Sequence, residues 1–551
     1  MKIETAGART LGSWSPNGTA PESGEPAIER ALLRLGEPVH VIETDAGLAV
    51  GRGGQASFGM EATDPVSLPL RAFVPPVRPE DLGDPAFKAA HGVRYAYVAG
   101  EMANGIGSAE IVEAMGKAGM LGFFGAAGLS LERIEQAIDR IQRTLGDAPY
   151  GFNLIHSPSE PAVEAATADL YIRRGVRRVC ASAYLDLTLP VVRYALHGIR
   201  QDADGRITRP HQLLAKISRV EVARRFLMPA PEKLVLQLVE KGWLTPDQAR
   251  LAARVPLAED LTAEADSGGH TDNRPAITLI PTMLALRDEI QTRMGYARRP
   301  RIGAAGGIAT PASAAAAFAM GASYVLTGSI NQACVEAGTS KAVKEMLAAS
   351  SQADVMMAPA ADMFEMGVKV QVLKFGTMFA VRAKKLYDVF LAHESLEAIP
   401  APLRAQLERD FLRQSFEEAW AQTRAYFEKR DPSQIARAEQ DPKHRMALVF
   451  RAYLGLASRW AIQGEPSRKV DYQIWCGPAM GAFNEWAKGS FLEKAEERRV
   501  VPIALNILTG AAVLARASAL RAQGVPAAPR FAPRPLHELE ETTGRPEGAP
   551  R

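Results

Sequence analysis

The feature of this sequence that most constrains its fold is an alternation of short apolar segments with amphipathic segments between Tyr95 and Gly328. Eight of the apolar segments have the length and composition of β-strands, and Gly or Pro separates them from helical patterns. Eight strand–helix units predict an α/β fold, a (β/α)8 TIM barrel. An open doubly wound sheet has the same alternation and is the alternative, but the strand count favours the barrel. The strand candidates are YAYVAG, MLGFFG, YGFNLI, RRVCAS, QLLAKI, LTAEAD, RIGAAG and SYVLTG.

One helical pattern, SLERIEQAIDRIQRTL, carries clear signals at its start. Leu131, Ile134, Ile138 and Ile141 share one face at helical spacing and predict its buried side. Ser130 before them is a typical N-cap residue. The position at which a capping box would carry Glu or Gln holds Arg instead, so the cap is predicted without the box.

The segments around the barrel differ in composition, and they predict a domain order. A small N-terminal subdomain and an inserted or appended helical lid region are expected to flank the barrel, with Pro-rich sequence at the end. The predicted segments are a flexible arm (1–30), the small subdomain (31–90), the barrel (91–330, with a helical insertion at about 220–256), the helical substrate and lid region (331–523) and a disordered tail (524–551).

Composition and charge exclude several classes of protein. The 551 residues are 47% hydrophobic, which excludes wholesale disorder, and the net charge of +3 is too even for a protein that coats nucleic acid. Three isolated Cys exclude a disulfide scaffold and are expected to be small core residues in a reducing cytoplasm. The N-terminus lacks the apolar core of a signal peptide, and the stretch from Val500 to Ala515 is too short for a membrane span. A soluble cytoplasmic protein is therefore predicted.

The strongest local signal for a binding site is a pair of glycine-rich turns after strand candidates seven and eight. Strand seven ends in Gly306 and Gly307, and strand eight ends in Gly328 and Ser329. Active sites of TIM barrels lie at the carboxyl ends of the strands, where turns seven and eight often bind phosphate through backbone N–H groups. The sequence therefore predicts a phosphate site, although the same glycines would also serve simply to close tight turns.

A second signal, EADSGGHTDN, follows strand candidate six. Two glycines, of which Gly269 is the second, allow a sharp turn that would project His270 over the barrel mouth. An imidazole there could donate a hydrogen bond or a proton to a substrate carbonyl. A lone His is often a surface or core residue, so this role is a hypothesis that rests on its place at the barrel rim.

Other rim positions predict contacts to a ligand. Gly100, Met102 and Asn104 follow strand one and are expected to line the mouth, with Met102 as an apolar contact. Asn153 at the end of strand three supplies an amide, and Lys216 near the end of strand five is either a cation beside an anionic ring or a solvated rim residue.

Other familiar sites are excluded by the motif search. The run Gly105-Ile106-Gly107 begins like a dinucleotide fingerprint, but Glu110 occupies the third glycine position. The chain has no G-x-S-x-G elbow, no H-E-x-x-H and no His/Cys cluster at metal spacing, so no metal site is predicted.

Taken in order, AGEMANG, GFFGAAG, GFNLIHSP, EADSGGHTDN, AAGGIATPASAAAAFAMGA, LTGSI and, beyond the barrel, WCGPAMGAFNEW resemble the PfaD-type trans-acting enoyl reductases. These enzymes work with polyunsaturated fatty acid synthases and trans-acyltransferase polyketide synthases. The resemblance spans about residues 80–525 and extends to the wider superfamily of FMN-dependent enoyl-ACP reductases and nitronate monooxygenases.

The resemblance implies FMN in the barrel mouth, with its phosphate at the glycine turns of strands seven and eight. It implies that Met102 and Asn153 flank the isoalloxazine and that His270 faces the reaction centre. Glu101 departs from the pattern, because related barrels carry a small residue there. A carboxylate at this position would either disfavour a reduced, anionic flavin or point away from it.

The expected function is an NADPH-dependent, FMN-containing enoyl reductase that acts on enoyl thioesters of an acyl carrier protein. The alternatives are a nitronate monooxygenase-like flavin oxidase, with His270 as a base, and a non-catalytic assembly factor of the synthase. The expected partners are the carrier protein and synthase modules, with no nucleic acid or membrane, and a homodimer is compatible with the sequence. The basic stretch from Lys369 to Lys385 predicts a docking surface for the acidic carrier.

Overall fold

The computed structural model of the chain describes residues 10–59, 66–158, 160–525 and 533–537, and it begins with a six-stranded antiparallel sheet. The strand order is β2-β4-β3-β6-β1-β5, and helix α1 (Glu25–Leu33) belongs to the same unit. The strands are β1 (Gly12–Ser15), β2 (Glu22–Ser23), β3 (Val39–Thr44), β4 (Gly47–Gly51), β5 (Gln55–Phe58) and β6 (Leu68–Val74).

The flexible arm predicted over residues 1–30 is wrong for residues 10–30. Strand β1 pairs with both β5 and β6, and Trp14 within it is fully buried, so the segment is part of the amino-terminal domain. Burial of the Trp14 indole stabilises this segment in the sheet, although its Gly- and Ser-rich composition suggested a flexible arm. Residues 1–9 lie outside the described residues.

Eight parallel strands close a barrel in the order β10-β13-β14-β16-β17-β7-β8-β9, which confirms the predicted (β/α)8 fold. The strands of this region, all in the barrel except β11, β12 and β15, are β7 (Tyr97–Ala99), β8 (Leu121–Phe124), β9 (Gly151–Ile155), β10 (Arg178–Ser182), β11 (Arg200–Gln201), β12 (Ile207–Thr208), β13 (Gln212–Ile217), β14 (Asp260–Glu264), β15 (Gly269–His270), β16 (Arg301–Ala305) and β17 (Val325–Thr327). Each barrel strand overlaps one of the eight predicted segments.

Helices surround this barrel, and their starts follow the local sequence. The helices are α2 (Pro85–His91), α3 (Ala109–Lys117), α4 (Leu131–Leu145), α5 (Pro161–Arg173), α6 (Leu189–Leu196), α7 (Val220–Leu227), α8 (Glu232–Glu240), α9 (Pro246–Ala252), α10 (Ala276–Met294) and α11 (Pro311–Met320). Ser130 caps α4 by accepting from the Arg133 amide at 3.4 Å. Ile134, Ile138 and Ile141 are buried as predicted, but Leu131 in the first turn is exposed.

A long insertion follows the last barrel strand and forms the lid over the carboxyl end of the barrel. Its strands β18 (Val355–Pro359) and β19 (Lys369–Leu373) form an antiparallel sheet with β15 of the barrel rim. The insertion has its own apolar core, which includes Phe364, Phe390 and Phe450. Its helices are α12 (Ser329–Gln332), α13 (Lys341–Ala348), α14 (Phe379–Ala392), α15 (Ala401–Gln406), α16 (Phe416–Arg430), α17 (Pro432–Gln440), α18 (Pro442–Gln463) and α19 (Ala479–Ala487), with a π-helical segment at Leu407–Leu412.

The last helix, α20 (Val500–Ala522), returns to the barrel wall. It packs between α11 and α3, so it occupies the place of the eighth barrel helix. The lid therefore ends before Val500, and its predicted extent to residue 523 is wrong, because the strand and helix of the eighth unit are separated by the insertion. The helix is also 23 residues long, so the expectation of a stretch too short for a membrane span is wrong. Most of its apolar stretch is buried in the fold, as in a core helix.

The predicted disordered tail has one ordered piece within the described residues, 533–537. Trp486 Nε1 donates to the Pro533 carbonyl at 2.7 Å, and the Leu536 amide donates to Asn506 at 2.7 Å. These bonds hold the piece against α19 and α20. The rest of the predicted tail, 526–532 and 538–551, lies outside the described residues. The three Cys are buried and free, as expected.

Candidate active site

A cavity of about 1520 Å³ lies between the carboxyl ends of the barrel strands and the lid. Sites that bury a small ligand usually have about 300–1,000 Å³. The cavity is therefore large enough for a cofactor together with a substrate. Barrel turns form its floor, and residues of β19, α16 and α18 form its roof.

Most of the site residues predicted from the sequence meet in this cavity. The residues that line it are Met102, Asn104, Asn153, Lys216, Gly269, His270, Gly306, Gly307, Gly328 and Ser329. Gly100 does not line it, and its predicted place at the mouth is wrong. Its amide donates to the Thr327 carbonyl at 2.8 Å, and a Cβ on it would lie 2.5 Å from the Leu326 side chain. Gly100 is thus a close packing position against strand β17.

The glycine turns after β16 and β17 form an open cradle. Gly306 and Gly307 have φ values of 79° and 76°, which favour glycine. A Cβ on Gly306 would lie 2.5 Å from the Ala265 carbonyl carbon, whereas a Cβ on Gly307 or Gly328 would meet nothing within 4 Å. The turns therefore leave free space beside exposed backbone, next to the capped amino terminus of α11. This arrangement suits an anionic group.

A partly buried cluster of three charges lies on the floor of the cavity. The Lys216 ammonium lies 3.0 Å from Glu101 and 3.1 Å from Glu264, and the three residues extend from β13, the end of β7 and β14. Burial alone would lower the pKa of Lys216, but the two carboxylates outweigh it and hold that pKa well above its usual value. Lys216 is therefore charged and is not a solvated rim residue.

Glu101 lines the cavity, and its carboxylate has the Lys216 ammonium beside it but no well-aligned hydrogen bond among the described residues. Its contact to Lys216 is an ion pair without hydrogen-bond geometry, so neither carboxylate oxygen has a hydrogen-bond partner among the described residues. A buried carboxylate without donors is costly. Glu101 lines the cavity, so its carboxylate lies where it can accept from a ligand on the floor.

His270 joins the barrel rim to the lid. Its Nε2 lies 3.0 Å from a carboxylate oxygen of Asp362, and its strand β15 pairs with β19. Burial alone would lower the pKa of His270, but the hydrogen bond and charge of Asp362, together with the charge of Glu264, raise it above its usual value. The raised pKa favours the cationic form of the ring, and its Nδ1 has no hydrogen-bond partner among the described residues.

The two predicted asparagines, Asn153 and Asn104, differ in their surroundings. Asn153 is buried and donates both amide hydrogens, to Ser182 Oγ at 2.8 Å and to the Cys180 carbonyl at 3.2 Å. It can offer only its oxygen to a ligand. Asn104 has a φ of 58°, a left-handed conformation that is uncommon outside glycine, in the turn beside Met102.

The sequence singled out Glu101 but did not indicate its contact with Lys216. Two further residues of the site, Glu264 and Asp362, were not predicted. Glu264 was visible as an acidic residue at a strand end, but its partner Lys216 lies on another strand. Asp362 comes from the lid, and no local pattern indicates that it reaches His270. Both contacts depend on segments that are distant in sequence.

The sequence of the chain matches two family models. A family model described as nitronate monooxygenase matches residues 85–375. A second model, described as the inserted helical domain of acyl-carrier-protein S-malonyltransferase, matches residues 393–472, which lie in the lid.

Individual relatives are similar over most of the chain. A polyunsaturated fatty acid synthase polypeptide of Thraustochytrium sp. is 44% identical over 87% of this chain, which covers 32% of that protein. Polyketide biosynthesis protein PksE of Bacillus subtilis is 46% identical over 79% of this chain, which covers 56% of that protein. The chain thus spans less than two thirds of either relative.

Among solved structures, the crystal structure of the enoyl reductase domain of MlnA, from the macrolactin biosynthesis cluster of Bacillus amyloliquefaciens, is 42% identical. The match covers 80% of this chain and 98% of that one, with a TM-score of 0.76.

Proposed function

The chain belongs to the nitronate monooxygenase family, and on that premise we propose that it is a trans-acting enoyl reductase. It reduces the α,β-double bond of enoyl thioesters on an acyl carrier protein during polyketide or polyunsaturated fatty acid synthesis. The observation that carries this proposal is the 42% identity to the enoyl reductase domain of MlnA over nearly all of that domain. The synthase proteins among the relatives support synthase modules as its partners.

The cofactor in this proposal is FMN, and two features of the floor fit it. The cradle at Gly306, Gly307, Gly328 and Ser329 has open backbone for a phosphate. The oxygens of Glu101, which have no well-aligned hydrogen bond among the described residues, can accept from a ring N–H of a flavin. When bound, FMN would supply transfer of a hydride equivalent from NADPH to the β-carbon of the enoyl group.

The cationic Lys216 lies beside Glu101 and offsets its charge only in part, because Glu264 shares the same ammonium. Its proposed role is to orient the Glu101 carboxylate and to moderate the negative potential on the floor. Met102 and Asn153 line the same part of the cavity, where Asn153 offers an oxygen and Met102 an apolar contact.

His270 is the proposed catalytic residue. Reduction of an enoyl thioester develops negative charge at the thioester oxygen and requires a proton at the α-carbon. The raised pKa of His270 favours the imidazolium form, which can donate from Nδ1 while Nε2 donates to Asp362. Asp362 is a positioning residue that orients the ring and stabilises its charge.

The roof provides an apolar surface for an acyl chain. Met363, Met366 and Val368 line the cavity, so part of the Met-rich segment MMAPAADMFEMGVKV faces the space beside the flavin site. Trp460 and Leu456 of α18 extend this surface. Flexible thioether side chains adapt to acyl chains of different shape.

The cations proposed to bind the carrier protein need revision. Of the stretch Lys369–Lys385, Arg382 pairs with the buried Asp471, and Lys384 pairs with Asp388 at 2.6 Å. Lys369 lines the cavity, whereas the other basic residues of the stretch do not. The docking surface on α14 thus has less unpaired charge than the sequence suggests. The proposed compartment remains the cytoplasm.

Anaerobic half-reactions test the function. The protein purified with FMN should be reduced by NADPH and reoxidised by a crotonyl thioester of a carrier protein faster than by oxygen with a nitronate. Fast turnover with oxygen and nitronate alone would instead establish the family's monooxygenase activity. A protein that binds no flavin would support the assembly factor.

The phosphate cradle has its own test. Gly307→Asp should abolish FMN retention, because the side chain fills the cradle and repels phosphate. Gly295→Asp is a matched control, since Gly295 also has positive φ and open space but does not line the cavity. Equal flavin content in both variants would show that the phosphate binds elsewhere.

A further inference from the structure

Most of the basic residues that line the cavity are paired within the protein, but Arg133, Lys369 and Arg459 have no side-chain partner among the described residues. Nine Arg and Lys residues and seven Asp and Glu residues line it. Ion pairs engage most of the basic residues, namely Lys216 with Glu101 and Glu264, Arg219 with Asp272, Arg430 with Glu160, Arg451 with Glu365 and Arg468 with Asp471. Arg413 donates to the Ser467 carbonyl at 2.7 Å.

Arg133 and Arg459 have no such partner among the residues that the structure describes. Both are exposed and both line the cavity, so they stand at its mouth rather than on its floor. The carboxylates that line the cavity form hydrogen bonds or ion pairs with other residues. Glu164, for example, accepts hydrogen bonds from Tyr184, Thr188 and His156. Two guanidinium groups therefore face the entrance without a counterion in the described part of the chain.

Arg133 is placed where a cation is unfavourable unless an anion is bound. It lies in the first turn of α4, at the positive end of the helix dipole, in the position where a capping box would carry Glu. Ser130 caps only the amide of Arg133. Glu132, the acidic residue of the same turn, does not line the cavity and accepts from Gln136 at 3.4 Å. The turn thus presents a cation to the cavity at the positive end of the helix dipole.

Arg459 lies in α18 of the lid, and a series of hydrogen bonds connects this helix to the turn after β7 and to the loop before α4. Ser340 Oγ donates to the carbonyl of Ala461, near the end of α18, at 2.7 Å. The Gly338 amide, two residues from Ser340, donates to the Ile106 carbonyl at 3.0 Å. In the same turn after β7, the Asn104 amide donates to Ala127 at 2.7 Å, in the loop that leads to α4.

We propose that Arg133 and Arg459, with the amino terminus of α4, bind the phosphate of the phosphopantetheine arm of the carrier-bound substrate. This inference rests on the proposed function. Arginine forks and helix amino termini are the groups that proteins use for phosphate. The carrier protein is too large to enter the cavity, so its arm enters from solvent and the phosphate at its protein end stays at the mouth, while the thioester reaches His270.

The test compares an enoyl thioester of phosphopantetheine with the same thioester of pantetheine, which lacks the phosphate. Arg133→Gln and Arg459→Gln should each lower kcat/KM for the phosphorylated substrate on the order of 10-fold, the usual effect of one charge-assisted hydrogen bond. The pantetheine substrate should be reduced at the wild-type rate by both variants.

Two matched controls locate the effect. Arg143→Gln removes an exposed cation from the far end of α4, away from the cavity, and should change neither rate. Lys369→Gln removes another cation of the cavity wall, on β19, which has no carboxylate partner among the described residues. It should also leave the preference for the phosphorylated substrate intact. A similar loss in Lys369→Gln would mean diffuse attraction and would overturn the proposed pair.

The remaining outcomes are equally decisive. A loss confined to the KM of NADPH, and absent with NADH, would assign the arginines to the 2′-phosphate of the nucleotide and overturn the proposal. Equal loss with both thioesters, or no loss, would overturn it as well. Calorimetric binding of phosphopantetheine to the flavin-loaded protein gives the same comparison without turnover. It separates failure of this site from failure of the reductase assignment.

Discussion

At the scale of single residues, Lys216 is the cation that neutralises part of the negative charge of Glu101 and Glu264 on the cavity floor. The substitution Lys216→Met would leave the partly buried Glu101 and Glu264 carboxylates without the cation that they share. We expect the free energy of unfolding to fall by about 3 kcal/mol, as for other broken buried pairs. Adding Glu101→Gln should restore part of this loss, because a single carboxylate then remains. Urea unfolding of the wild type, the two single variants and the double variant measures it, and additive losses would contradict the cluster.

The pair of His270 and Asp362 predicts a pH dependence. Because the folded-state pKa of His270 is raised, its stabilisation by Asp362 is present below the usual pKa and is lost as pH rises through the raised value. If the imidazolium is the donor, kcat/KM should fall in the same direction. Asp362→Asn should move this fall to lower pH, as rate profiles of the two proteins would show. Coincident profiles would remove His270 from the proton chemistry.

At the scale of elements, the contact between α20 and α11 depends on Gly510. A Cβ on Gly510 would lie 2.5 Å from the Pro311 ring, which cannot move aside. Gly510→Ala should therefore destabilise the fold by about 1–3 kcal/mol, although Ala favours helices. Gly455→Ala in α18 is the matched control, because its Cβ would meet nothing and should stabilise by about 0.5–1 kcal/mol. Thermal unfolding distinguishes the two signs, and equal signs would contradict the close approach.

At the scale of the whole molecule, Asp260 connects three parts of the fold. It accepts from Arg301 at 2.6 and 2.7 Å and lies 3.0 Å from His91 of α2. Burial would raise the pKa of Asp260, but His91 and Arg301 outweigh it and hold the pKa far below its usual value. Its contribution to stability is present above the usual carboxyl pKa and is lost as pH falls.

Asp260→Asn tests this connection. The substitution leaves the buried Arg301 with only the more distant Glu259 carboxylate, at 4.0 Å, so the free energy of unfolding should fall by about 3 kcal/mol at neutral pH. The stability of the variant should also depend less on pH in the acid range, which urea unfolding at several pH values measures. Because Asp260 and Arg301 begin their strands, they lie at the end of the barrel away from the cavity. An unchanged acid response would assign the pH dependence to other carboxylates.

Local pattern alone was enough for the barrel and for most of the candidate site. Short apolar strands and helices of period 3.6 are visible in short windows, and residues that end parallel strands must meet at one end of a barrel. His270, Asn153, Lys216 and the glycine turns could therefore be placed together from their positions in the sequence. The prediction for Gly100 was wrong because the sequence does not show which residues at a strand end face the neighbouring strand and which face the mouth.

Only the tertiary structure decided which distant segments complete these local units. The eighth barrel helix, α20, is separated from its strand β17 by the whole lid, and no periodicity reports that return. The partners of Lys216 come from two other strands, and Asp362 reaches His270 from the lid. Such contacts are set by packing between elements far apart in the chain, whereas sequence windows report only what neighbouring residues share.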